Sequence, residues 1–300
     1  MMNRKIGQLF RLSIYVLVLV ALATFLVKLG SKPWILALGH WPTLLVIMIT
    51  TGIGIIVQAA SFRKSYPVGN IPLSLIETSR IWAASAVLSV IAPIFMGLAT
   101  RTTLLINAGT SFSTCMLAST RQFWMGLEYA ALFGGVGMYF IHLHFANYFS
   151  LALLLLWVMM IGFRITASNK KALYDGSILD MKFIRSLRSA YPSSAHIWFM
   201  LQLVVMSIVY YAAFKGVGAS LHWVDAITLS SITVFISLIA FVPNGLGLTD
   251  VLWVTVAIQT GLTLEASVSL AILIRLGHFL SSVVLFSLLY FLSERQLSSV

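Results

Sequence analysis

The sequence predicts an all-α polytopic membrane protein built as an inverted repeat. Three observations carry that prediction. Hydrophobic residues make up 60% of the 300-residue chain and charged residues 9%, against about 25% charged in a soluble domain. Two apolar stretches are interrupted by Pro and Gly four residues apart, at Pro93 to Gly97 and at Pro243 to Gly247. The basic residues then fall on one side of the membrane if those interrupted stretches double back.

Apolar segments tile the chain at about 7–29, 34–60, 72–92, 97–108, 110–140, 145–165, 194–214, 225–243, 247–261 and 264–292. The first follows Met1-Met2-Asn3-Arg4-Lys5 and is long enough to cross a bilayer. Ala23-Thr24-Phe25 is a poor cleavage site, so a retained span is expected here rather than a leader. Segments 97–108 and 247–261 are too short, because a straight crossing needs about 20 residues. Each follows one of the Pro/Gly breaks, so 72–108 and 225–261 are expected to be re-entrant helical hairpins. Broken backbone at membrane depth is tolerated only where protein or a wet cavity satisfies the freed polar groups. The longest polar stretch, Thr166 to Ser194, reads as a loop.

With the amino terminus cytoplasmic, twelve Lys and Arg residues lie on the cytoplasmic side: Arg4, Lys5, Arg11, Arg63, Lys64, Arg164, Lys170, Lys171, Lys182, Arg185, Arg188 and Arg295. The outer loops hold Lys28, Lys32 and Lys215, and Arg80, Arg101, Arg121 and Arg275 lie within or beside membrane segments. Were the first hairpin a single span, the basic 166–193 loop would move outside, against the positive-inside bias. The whole chain, 1–300, therefore reads as one transmembrane domain of two halves, 7–140 and 145–292. Each half has two spans, a hairpin and a third span, giving about six full spans and two hairpins. Three spans per half turn the second half upside down, and both termini are expected in the cytoplasm.

Arg121, in Leu117-Ala-Ser-Thr-Arg-Gln-Phe-Trp124, and Arg275, in Ala271-Ile-Leu-Ile-Arg-Leu-Gly-His278, are both mid-helix. Such residues face a protein interior or a wet cavity. The planar guanidinium suits phosphate. Either could instead pair with an acid, Arg121 with Glu128 or Glu77 and Arg275 with Asp250 or Glu265. Asp250 opens the short return helix of the second hairpin, where a carboxylate is favoured by the helix dipole. It could also contact Arg275 or a coupling ion. Arg101 holds the corresponding place in the first hairpin and could snorkel to a headgroup region. Glu77 and Arg80, three apart, can pair on one helix face. Pro93, Gly97, Pro243, Gly245 and Gly247 shape the backbone breaks. Gly134-Gly135-Val-Gly137 and Gly52-Ile-Gly54 read as close helix-packing surfaces.

Several function classes are excluded or unsupported. The net charge of +11 comes from loops between spans and does not indicate nucleic acid; it orients the chain and attracts anionic lipid. The one cysteine, Cys115, allows no intrachain disulfide. His142-Leu-His144 has no Cys or acid at ligand spacing, so no metal site is expected. The sequence shows no phosphate-binding Gly-rich loop and no nucleophile elbow. Neither a cofactor nor a catalytic group is expected.

Phe241-Val-Pro-Asn-Gly-Leu-Gly-Leu-Thr-Asp250, followed by Gly261 and the helix bearing Arg275, resembles the carboxy-terminal signature of the lysylphosphatidylglycerol synthase transmembrane family, also called flippase-like. Ile71-Pro-Leu-Ser-Leu with Pro93 to Arg101 and Arg121 resembles its first-half signature. Asn244, Thr249 and Asp250 depart from the usual residues at their positions. The resemblance covers the membrane module and not the soluble aminoacyl-transfer domain, so it implies lipid handling or translocation rather than aminoacylation.

The expected function is binding or translocation of a polar or anionic lipid in a central cationic cavity of the cell (inner) membrane. Arg121, Arg275, Arg101, Asp250 and Asn244 are the expected headgroup contacts. Two alternatives stand beside it. One is a non-transporting subunit that supports a glycosyltransferase or envelope-polysaccharide assembly through a membrane protein partner. The other is an integral-membrane transferase acting on a lipid-linked sugar, with Asp250, Glu77 and Glu128 as its only deep acids.

Overall fold

The computed structural model describes residues 31–65, 73–91, 94–140, 146–169, 193–239 and 247–297. Ten helices and no strands occur among them. The first half contributes α1 (Lys32–Gly39), α2 (Trp41–Lys64), α3 (Leu75–Ile91), α4 (Ile94–Asn107) and α5 (Phe112–Phe140). The second contributes α6 (Ala146–Asn169), α7 (Ser193–Gly216), α8 (Trp223–Ile239), α9 (Leu248–Gln259) and α10 (Leu264–Leu297). The expected first span, 7–29, and most of the basic 166–193 loop lie outside the described residues.

Polar residues fix the helix starts. Ser74 and Glu77 form a reciprocal cap at α3: the Ser74 N–H donates to Glu77 Oε2 at 2.7 Å, and the Glu77 N–H donates to Ser74 Oγ at 3.2 Å. At α8 the carboxylate half of such a cap is present, Asp225 Oδ2 accepting the His222 N–H at 3.2 Å. Both hairpins end alike. Gly109 (φ 91°) and Gly261 (φ 92°) take the left-handed conformation, which glycine adopts without penalty. Each turn is closed by crossed backbone bonds, Thr110 N–H to Leu105 O at 3.0 Å and Leu262 N–H to Ala257 O at 3.1 Å.

Segment 34–60, expected as one span, is broken. α1 stops at Gly39, His40 takes a non-helical conformation (φ −91°, ψ 38°), and α2 restarts at Trp41. Pro42 explains the break, since its ring removes an N–H and would clash with the carbonyl four residues back. At the first turn of α2 that missing donor costs nothing.

Among the described residues three helices are long and apolar enough to cross a membrane: Trp41–Lys64, Ser194–Gly216 and Leu264–Leu292, of 24, 23 and 29 residues. Their flanks and those of α1 and α6 leave large apolar side chains uncovered, including Ile35 (65% exposed), Met159 (71%), Ile197 (67%) and Phe291 (65%). A surface this apolar belongs in lipid. The protein is a helical membrane protein. α5 has 29 residues, long enough to cross at about 1.5 Å per residue, but it carries Arg121 and Glu128, both buried.

α2 and α7 pack antiparallel at the centre. Thr43 near the start of α2 lies against Gly216 at the end of α7, while Gly54 faces Val205. α3 packs along α10, and α8 packs along α5. The α5–α8 contact is close because Gly137 leaves room for Thr228, and the α5–α6 contact because a Cβ on Gly135 would meet Leu154 Cγ at 2.9 Å.

Both interrupted stretches fold back. Ser85 Oγ donates to the Gly97 carbonyl at 2.9 Å; in a straight helix those residues would be about 18 Å apart. Gly97 is needed there, because a Cβ would run into Ser89 Oγ. In the second hairpin the buried Trp253 Nε1–H donates to Thr233 Oγ1 at 3.1 Å, across about 30 Å of straight helix.

Candidate functional site

Between the two hairpins and the α2–α7 pair lies a cavity of about 600 Å³, within the size range of small-molecule and headgroup sites. Every helix except α1 and α6 contributes to its wall, four from each half. Arg101 and Arg275 both line it.

Arg275 is held on three sides. Its Nε donates to Asp250 Oδ1 at 2.9 Å, and its Nη2 donates to Asp250 Oδ2 at 3.1 Å and to Thr249 Oγ1 at 2.6 Å. The guanidinium carbon lies 5.0 Å from the centre of the Trp253 ring. Asp250 Oδ2 also accepts the Gly247 N–H at 2.8 Å. Gly247 sits at φ 87° at the head of α9, which turns that N–H back toward the carboxylate. The pair thus fixes the mouth of the return helix as well as the cation.

Arg101 has a different environment. Its guanidinium carbon lies 4.4 Å over the centre of the Trp82 ring. Among the described residues it makes no ion pair, and its Nε is out of solvent without a hydrogen-bond partner. Cation–π contact with Trp is worth about 0.5–2 kcal/mol, too little to replace a carboxylate.

Arg101 is not the only unsatisfied group on this wall. Thr51 Oγ1, Trp82 Nε1, Gln202 Oε1 and His278 Nε2 are buried, lack a partner and line the same cavity. Buried polar atoms are nearly always satisfied. Here several exceptions share one space.

The cavity has a lateral rim. Met116 (38% exposed) and Phe123 (41% exposed), two turns apart on α5, both line it and both reach the apolar exterior. Leu98 near the start of α4 and Leu238 near the end of α8 also line the cavity.

The expected site residues therefore separate. Arg101, Arg275 and, through Arg275, Asp250 meet at the cavity. Arg121 is only 2% exposed on α5, does not line the cavity, and donates through Nη1 to the Ser65 carbonyl at 3.3 Å. Glu265, offered above as a partner for Arg275, lies 3.9 Å from Lys32 instead. Gly97 and Gly247 shape the two hairpins as described. Asn244, Pro93, Pro243 and Gly245 lie outside the described residues, as do His142 and His144. The contributions of Trp82, Trp253, Gln202 and His278 were not legible in advance. A Gln or His within an apolar helix is itself a costly placement, and that signal could have pointed to the last two.

No protein-family model matches the chain, and no curated protein matches it.

Proposed function

We propose that the protein binds a polar or anionic lipid and carries its headgroup across the membrane through the central cavity. The observation that carries this reading is the meeting of Arg101 and Arg275, one from each half, on the wall of one 600 Å³ space. Cations inside a membrane protein are costly and mark ligand pathways. The rim at Met116 and Phe123 lets acyl chains stay in the bilayer while the headgroup enters.

The inverted-repeat reading supports the same function, because transport sites lie where such halves meet. Three features favour it. α2 and α7 both have 24 residues and α3 and α8 both have 17. The hairpins begin with the same acidic cap and end with the same glycine turn. The first helix of each hairpin packs on the last helix of the opposite half. On this reading α9, α4 and their partners are the halves of two re-entrant hairpins, and the chain resembles the flippase-like family in architecture and lipid handling. A cell-membrane location with both termini cytoplasmic follows from the basic loops.

The test is reconstitution into liposomes carrying fluorescent phospholipids, with quencher added outside. Faster loss of inner-leaflet fluorescence than in protein-free liposomes is expected, with Arg275→Ala slowing it. Equal rates with and without protein would count against transport.

A further inference from the structure

The cavity's charge selects a headgroup class, and this step rests on the lipid-binding reading above. Eight acids occur in the chain. Five have described side chains, and four of these stand away from the cavity. Glu77 and Asp225 cap α3 and α8, Glu265 faces Lys32, and Glu128 is buried elsewhere on α5. The fifth, Asp250, is engaged by Arg275 through two hydrogen bonds. Residues 92–93 and 240–246 contain no acid. Among the described residues the cavity thus has two guanidinium groups and one committed carboxylate, leaving one positive charge in excess.

The excess charge is localised at Arg101. Its ring-stacked face is covered by Trp82, and its Nε–H has no acceptor. A flat guanidinium with one face covered and an unpartnered Nε–H is suited to a phosphate oxygen pair. The remaining wall offers neutral hydrogen-bonding groups, among them Ser85, Ser119, Thr120, Gln202 and Ser237. Hydroxyls and amides match a polyol. Among the described residues an ammonium group would find no unpaired carboxylate on this wall and would meet the excess positive charge.

We infer that the cavity takes a phosphodiester seated on Arg101 against Trp82, with an uncharged, hydroxyl-bearing remainder such as glycerol or a sugar, and that it rejects headgroups bearing an amine.

The test uses the purified full-length protein in detergent, equilibrated with equal amounts of phosphatidylglycerol, phosphatidylethanolamine and a cationic trimethylammonium diacyl lipid. A parallel sample receives glycerol 3-phosphate. Retained ligand is read by native mass spectrometry. Phosphatidylglycerol is expected to be retained about tenfold over the other two, the size of one charge-assisted hydrogen bond. Arg101→Gln should erase that preference, and Lys215→Gln, outside the cavity, should not. Gln202→Glu supplies a carboxylate and should raise phosphatidylethanolamine toward the phosphatidylglycerol level; it carries the same test should Arg101→Gln fail to fold. Equal retention of the amine lipids by wild type, or an unchanged preference in folded Arg101→Gln, would overturn the inference. Glycerol 3-phosphate bound without any lipid would uphold the phosphate seat and overturn the lipid reading beneath it. Binding of neither would overturn both.

Discussion

Arg275 grips Asp250 at both carboxylate oxygens, at 2.9 and 3.1 Å, and the same carboxylate receives the Gly247 N–H at 2.8 Å. One ion pair therefore joins α10 to the head of α9 and sets the orientation of the cation on the cavity wall.

Asp250→Asn should destabilise the protein. The two side chains keep 21% and 23% of their exposure, so the loss should be below that of a fully buried pair, about 1–3 kcal/mol. Asp250→Glu keeps the charge but extends it by a methylene, and should fall between wild type and Asn. Thermal unfolding in detergent reads both. An unchanged midpoint for Asp250→Asn would mean the pair is not a structural tie.

Arg101→Met should separate stability from function. The substitution removes a cation that lacks a carboxylate partner and forfeits a cation–π contact of about 0.5–2 kcal/mol. Apolar replacement of buried charge is often neutral or stabilising. The melting midpoint should hold or rise while lipid movement falls. A lower midpoint with unaltered lipid movement would assign Arg101 a purely structural role.

Gly97→Ala should loosen the first hairpin. The added methyl meets Ser89 Oγ and lies 3.1 Å from the Ser85 carbonyl, an overpacking expected to cost about 1–3 kcal/mol. Ser89→Ala in the same chain should recover part of that loss, because the two changes share one contact. Purely additive midpoints for the double variant would contradict the packing described.

Cysteine labelling should place Lys64 and Lys215 on opposite sides. Both are exposed and close α2 and α7, which run antiparallel. In a Cys115→Ser background, a membrane-impermeant maleimide added to intact cells should label Lys215→Cys, and Lys64→Cys only after permeabilisation. Labelling of both from outside would contradict the inverted arrangement and the cytoplasmic assignment together.

The sequence revealed the hairpins because their signal is local. Pro93 and Gly97, and Pro243 and Gly247, interrupt apolar runs, and the runs that follow are too short to cross. The parity of passes expected from the basic loops is what the cysteine labelling tests. The break at His40 was hidden because hydrophobicity continues across it, and Pro42 alone does not distinguish a helix start from a kink. The cavity was only half legible. A mid-helix Arg announces a cost, but not which face of the helix bears it: Arg121 turns to the Ser65 carbonyl and Arg275 to the cavity. The Arg101–Trp82 contact depends on a fold-back that brings residues nineteen apart together, so no window along the chain contains it. Gln202 and His278 lie on α7 and α10, 76 residues apart, and only the helix arrangement brings both to the cavity wall.

The central claim is that the two guanidinium groups on one cavity wall move a lipid headgroup. The most direct measurement is the rate of transbilayer phosphatidylglycerol movement in proteoliposomes containing Arg101→Gln/Arg275→Gln, beside wild type at equal reconstituted amounts, with folding verified by gel filtration. The expected result is a fall to the protein-free rate in a folded double variant. A wild-type rate in that variant would contradict the claim.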